Sequence, residues 1–122
     1  MKVSKVNGLI GFAARSGNLV TGYNTCLRLI SSGKLKLLII SEDVGDKTRE
    51  KMVQKCTGRR IEWRTFGKAE ELSEAVGKTD KGLFGITDKG FAESIAKEID
   101  RIQSEREVTD SDESSRASQG TE

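Results

Sequence analysis

The sequence contains no histidine and no proline, only two cysteines, and a single tryptophan and tyrosine among 122 residues. Without histidine it lacks the usual general base near neutral pH and the usual metal ligand, so metal-dependent or triad hydrolysis would need an unusual substitute. Cys26 and Cys56 are thirty residues apart and outside any metal-knuckle spacing, and two thiols do not make a disulfide framework, so both read as small buried hydrophobes. No apolar run approaches the roughly 18 residues that span a bilayer, and no small-residue cleavage site follows Lys2 and Lys5. A soluble, cytoplasmic protein with no catalytic residues, no metal and no cofactor is therefore expected.

What is present in quantity is charge, and it is unevenly placed. Residues 1–103 hold nineteen Lys and Arg against thirteen acids, whereas residues 104–122 hold six acids against Arg106 and Arg116. The first acid is Glu42, and Lys2, Lys5, Arg15, Arg28, Lys34 and Lys36 all precede it. A basic body suits a polyanionic partner, though a solvated surface would look the same on charge alone. Beyond Gln103 the only large aliphatic residue is Val108, too little apolar area to offset ordering entropy. The chain thus divides into a domain, 1–103, and an acidic tail, 104–122, expected to be disordered.

Val3, Val6, Leu9, Ile10, Ala13 and Ala14 keep helical spacing, and Ser16 and Gly17 stop it, which predicts a helix over 3–15. A short strand, Leu19–Thr21, precedes a second helix with Tyr23, Cys26, Leu27 and Ile30 on one face and Gly33 as its cap. The unalternating run Leu37–Ile40 predicts a strand covered on both faces, at the centre of a sheet. Asp46 is expected to cap a third helix carrying Met52, Val53 and Cys56. The alternation from Ile61 to Phe66 predicts a strand, and Ala69, Leu72, Ala75 and Val76 a fourth helix closed by Gly77. Gly82–Thr87 is the last strand, and Asp88 caps a final helix with Phe91, Ile95, Ile99 and Ile102 inward. Alternating helices and strands imply a layered α/β domain with helices on both faces of a small sheet.

Gly17 and Gly22 have P-loop spacing, but Tyr23 and Asn24 stand where the motif needs Lys and Ser or Thr, so that motif is rejected and no nucleotide cofactor is expected. Glu42 and Asp43 end the central strand with no further ligand type nearby, and a solvated-loop or helix-capping role is expected of them. Leu19–Gly33 says more. Gly22 lets the chain turn sharply out of a strand, and the next helix then presents free N–H groups that attract phosphate. Asn24 and Arg28, four residues apart, share one face and suit a base edge and a phosphate; they serve equally as a cap and a solvated charge, and the segment alone leaves both open.

Gly22, Tyr23, Asn24 and Arg28, then Gly33, Lys34, Leu35, Lys36, Leu37 and Leu38, then Ser41, Glu42, Asp43 and Val44, resemble the ribosomal protein L7Ae/L30e family of kink-turn RNA binders, the bacterial YlxQ-type members most of all. The likeness runs from residue 3 to about 100 and takes in Glu71, Leu72, Ala75, Val76 and Gly77, and Thr87, Asp88, Lys89, Gly90 and Phe91. It implies a three-layer α/β/α sandwich around a small four-stranded mixed sheet. It also implies a non-catalytic protein that binds structured, kink-turn-like RNA, ribosomal RNA being the expected source, with neither membrane nor DNA as partner. RNA contact is implied through the second helix's N-terminus (Gly22, Tyr23, Asn24, Thr25, Arg28) and the loop before the last strand (Lys78, Thr79, Lys81), with Lys34 and Lys36 as further cations. Thr25 stands where the family has Glu and Arg28 where it has Lys, and Lys78–Lys81 replaces an apolar loop, departures that imply retuned base reading. The alternative is a protein-interaction or ribosome-assembly adaptor whose RNA face has diverged.

Overall fold

The computed structural model describes residues 4–115 and, of their side chains, those through residue 106. In chain order the elements are α1 (Lys5–Arg15), β1 (Leu19–Thr21), α2 (Tyr23–Ser31), β2 (Leu37–Ile40), α3 (Asp46–Gly58), β3 (Glu62–Thr65), α4 (Ala69–Ala75), β4 (Leu83–Ile86) and α5 (Lys89–Ser115). The strands form one sheet in the order β1-β4-β2-β3, in which β4 runs antiparallel to both β1 and β2 while β3 lies parallel to β2. The sheet is therefore mixed and four-stranded, as expected.

Period-two alternation along the inner strands sorts the core into two layers. Leu37, Ile39, Phe84 and Ile86 face α1, α4 and α5 with Val6, Ile10, Leu72, Ile95 and Ile99. Leu38, Ile40 and Leu83 face α2 and α3, meeting Cys26, Ile30, Met52 and Cys56. All eight residues of β2 and β4 are buried, the two-sided cover that the unalternating Leu37–Ile40 run predicts. Burial pushes the Cys26 thiol up to about 12, with neighbouring Cys56 adding to it, and the Cys56 thiol to about 11. Both stay protonated and apolar, the role read for them.

Two local expectations change. Asp46 does not cap α3; Gly45 holds that position, and Asp46 is the first helical residue, paired with Arg49 at 3.1 Å. The extended run begins at Glu62, one residue after Ile61, and ends at Thr65. As one of the two outer strands of the sheet it has no fully buried residue, so its alternation is weaker than Ile61 to Phe66 suggests. The helix α5 runs past Gln103 to Ser115, Gln103 Nε2 donates to the Thr65 carbonyl at 2.9 Å, and of the tail expected over 104–122, residues 116–122 lie outside the described residues. Asp88 does cap α5, its Oδ2 accepting the Phe91 N–H at 2.8 Å. Among the described residues no helix is long and apolar enough to cross a membrane.

Candidate nucleic-acid interface

At the end of β1 the chain turns at Gly22, whose φ of 97° and ψ of 155° lie in a region that only glycine occupies without strain. Its N–H donates to the Leu83 carbonyl at 3.2 Å, and its carbonyl accepts the Cys26 N–H at 3.1 Å as the first bond of α2. The first contact ties the start of α2 to the start of β4, and hence to the loop before β4. A Cβ at Gly22 would meet nothing within 4 Å, so the glycine is required by backbone conformation and the space above it is open.

No side chain caps α2. The N–H groups of Tyr23, Asn24 and Thr25 therefore lack helical acceptors, and the positive end of the helix dipole adds to their pull on an anion. Asn24 and Arg28 are both exposed and one turn apart. Tyr23 is held from the other side, with Lys51 of α3 placing its Nζ 5.9 Å from the ring centre.

The loop between α4 and β4 faces this helix end. Gly77, at φ 75°, closes α4, and the Lys78 N–H returns to the Ser73 carbonyl at 2.8 Å. Buried Ser73 then secures the loop's far end: its hydroxyl accepts the Lys81 N–H at 2.9 Å and donates to the Lys81 carbonyl at 3.0 Å. Thr25 and Lys78 line one depression of about 500 Å³ with Arg15 and Thr21, and Lys78, Thr79 and Lys81 line an adjoining one. Ser73→Ala removes both bonds to Lys81, which should cost about 1 kcal/mol and about 4 °C in Tm. Faster amide exchange at Lys81 should accompany it, and protection equal to the parent's would show that another contact holds the loop.

Gly22, Tyr23, Asn24, Thr25, Lys78, Thr79 and Lys81 thus gather at one end of the sheet, while Arg28 lies one turn beyond Asn24, in the last turn of α2. Lys34 and Lys36 do not join them. They are exposed after the C-terminus of α2, and the Lys36 N–H bonds Ile86, the residue of β4 farthest from Gly22. Arg15 and Thr21 line the same depression, Ser73 holds its loop and Lys51 its Tyr23, and of these four only Lys51 carries a local signal in the sequence, the four-residue spacing of Lys47, Lys51 and Lys55.

Glu42 and Asp43 resolve as supports. Asp43 Oδ1 accepts the Ala69 N–H at 3.0 Å, supplying the N-terminal cap of α4 from twenty-six residues away. That bond holds the Asp43 carboxyl below the usual carboxylate range. Glu42 is paired with Lys68 at 3.6 Å, and its carbonyl accepts from Arg49 at 2.9 Å. The helix-capping role expected for this pair thus falls to Asp43.

Among proteins of known sequence, the chain is similar to the RNA-binding protein YlxQ of Enterococcus faecium, 30% identical over 79% of this chain and 92% of that one. The protein of the same name from Bacillus subtilis is 26% identical over 75% and 92%. Large ribosomal subunit protein eL8 of Thermoplasma volcanium is 28% identical over 78% and 79%. Among solved structures, a Bacillus halodurans protein of unknown function superposes with a TM-score of 0.78 at 33% identity, covering 80% of this chain and 99% of the other. The Giardia lamblia 15.5kD RNA binding protein shares the fold at a TM-score of 0.67 and 16% identity, over 85% and 92%. Residues 4–96 match the family described as ribosomal protein L7Ae/L30e/S12e/Gadd45, and the chain belongs to that family.

Proposed function

We propose that this protein binds structured RNA, of the kink-turn type and from ribosomal RNA, through the N-terminus of α2 and the Lys78–Lys81 loop, and that it does so without catalysis. The observation that carries this reading is the open, uncapped start of α2 at Gly22, with exposed Asn24 in its first turn, exposed Arg28 one turn further along the helix, and a basic loop across from its start. The names of the two YlxQ relatives support RNA as the partner, and that of the Thermoplasma relative supports a ribosomal source. The domain of residues 1–103 is the binding unit in this proposal.

The division of labour follows from chemistry. Free N–H groups of the first turn and the guanidinium of Arg28 hold phosphate, and the Asn24 amide, with one donor and one acceptor side, reads a base edge. Thr25 offers a hydroxyl where a carboxylate would accept from guanine, so shape and phosphate contacts carry more of the recognition. Lys78 and Lys81 hold backbone on the far side of the depression.

Fluorescence-anisotropy titration of a kink-turn, the same RNA with its G·A pairs replaced, and a plain duplex tests the reading. The kink-turn should bind tightest. With Arg28, Lys78 and Lys81 each neutralising one phosphate, log K should fall against log salt with a slope of about −3, some forty-fold between 50 and 200 mM. A flat salt response, or equal binding of all three RNAs, contradicts the proposal and favours the adaptor.

A further inference from the structure

We infer that α3 carries a second RNA contact, a row of lysines that receives the phosphate backbone of a helical stem leaving the α2 site; this rests on the proposed function. Lys47, Lys51 and Lys55 recur at four-residue intervals, the spacing that stacks side chains along one side of a helix. All three are exposed, and no ion pair involves them among the described residues. Helix geometry spaces the row over about 12 Å, a length along which a nucleic-acid duplex presents roughly seven phosphates.

Which way the row faces follows from its middle member. Lys51 reaches over the ring of Tyr23, the first residue of α2, so the row borders α2 and is continuous with the site at that helix's start. Met52 and Cys56, each about 100° around α3 from the lysine it follows, hold a different side of the helix against the sheet. The acid on the exposed surface of α3 nearest the row, Glu50, lies three residues after Lys47 and adjoins Lys51 in sequence, while Asp46 is engaged by Arg49. Like charges at four-residue spacing lower helix stability by a few tenths of a kcal/mol each. Apart from the contact of Lys51 with Tyr23, folding gains little from the row, whereas a polyanion lying along it turns the same repulsion into attraction.

The test compares the full chain with Lys47→Gln/Lys51→Gln/Lys55→Gln, since glutamine keeps helix propensity and removes charge. Two kink-turns are used, one with both stems long and one with them cut to the pairs flanking the kink. On the long RNA the variant should bind about ten-fold more weakly, with a salt slope shallower by two to three, about 0.9 for each lost phosphate contact. On the short RNA the two proteins should bind within two-fold of each other. The variant Lys47→Arg/Lys51→Arg/Lys55→Arg should match the parent on both, and it also serves if the glutamine variant melts early. Equal loss on both RNAs, no loss on either, or failure of the arginine variant on the long RNA overturns the inference. If the parent does not prefer a kink-turn, the proposed function fails. The row is then judged on a plain duplex, where an unchanged slope overturns it and a shallower one upholds it.

Discussion

Gly85→Val is expected to destabilise the domain by about 3 kcal/mol, lowering Tm by roughly ten degrees. Gly85 lies in β4 on the face that packs against α2. A Cβ there would stand 2.5 Å from Leu35 Cδ1, 3.1 Å from Val20 Cγ2 and 3.3 Å from Cys26 Sγ. Leu35 and Cys26 are both buried, so neither can turn away into solvent. Valine's better strand propensity returns at most about 1 kcal/mol, which the overlap outweighs. The glycine thus lets α2 sit close on the sheet, and the helix that carries Asn24 is positioned by it. Urea unfolding measures the effect: the midpoint should fall with the slope unchanged. Gly58→Ala is the control, because that helical position has open space around it and should be neutral or slightly stabilising. Equal stability of Gly85→Val and the parent would show that α2 moves freely outward and that its seating is not set by this contact.

Asn24→Ala is expected to weaken kink-turn binding by about 1 to 3 kcal/mol while changing binding to a plain duplex far less, so selectivity drops. The side chain is exposed and caps nothing in α2, and alanine is the better helix former, so the melting curve should stay in place or rise slightly. An early melt would restore the capping role. Arg28→Ala separates the two functions. A guanidinium that holds phosphate weakens both RNAs by a similar factor and makes the salt slope shallower by about one. If both variants fold and bind a kink-turn as the parent does, the face at the start of α2 has been misassigned and the adaptor reading stands.

Much of this was readable in the chain itself because the signals are local. Apolar spacing marked α1, α2 and α5; the unalternating Leu37–Ile40 run announced two-sided cover; and Gly22 before Tyr23 and Asn24 announced an open helix start. Each depends on residues within a turn or two of one another, and so survives without knowledge of the partner surface.

Pairings between distant segments were settled only by the tertiary structure. The order β1-β4-β2-β3 brings Leu83 to Gly22, and thereby sets the Lys78–Lys81 loop beside α2 while leaving Lys34 and Lys36 at the far end of the same sheet. The cap of α4 comes from Asp43 rather than a neighbouring residue, and the loop is held by Ser73, whose hydroxyl gives no sign in the sequence of having a partner eight residues on. Lys51 is one of many surface cations until α3 packs beside α2 and sets it over Tyr23. The reason is physical: apolar periodicity states which face of an element is buried, but not which other element covers it, and a site assembled at the end of a sheet exists only once that choice is made.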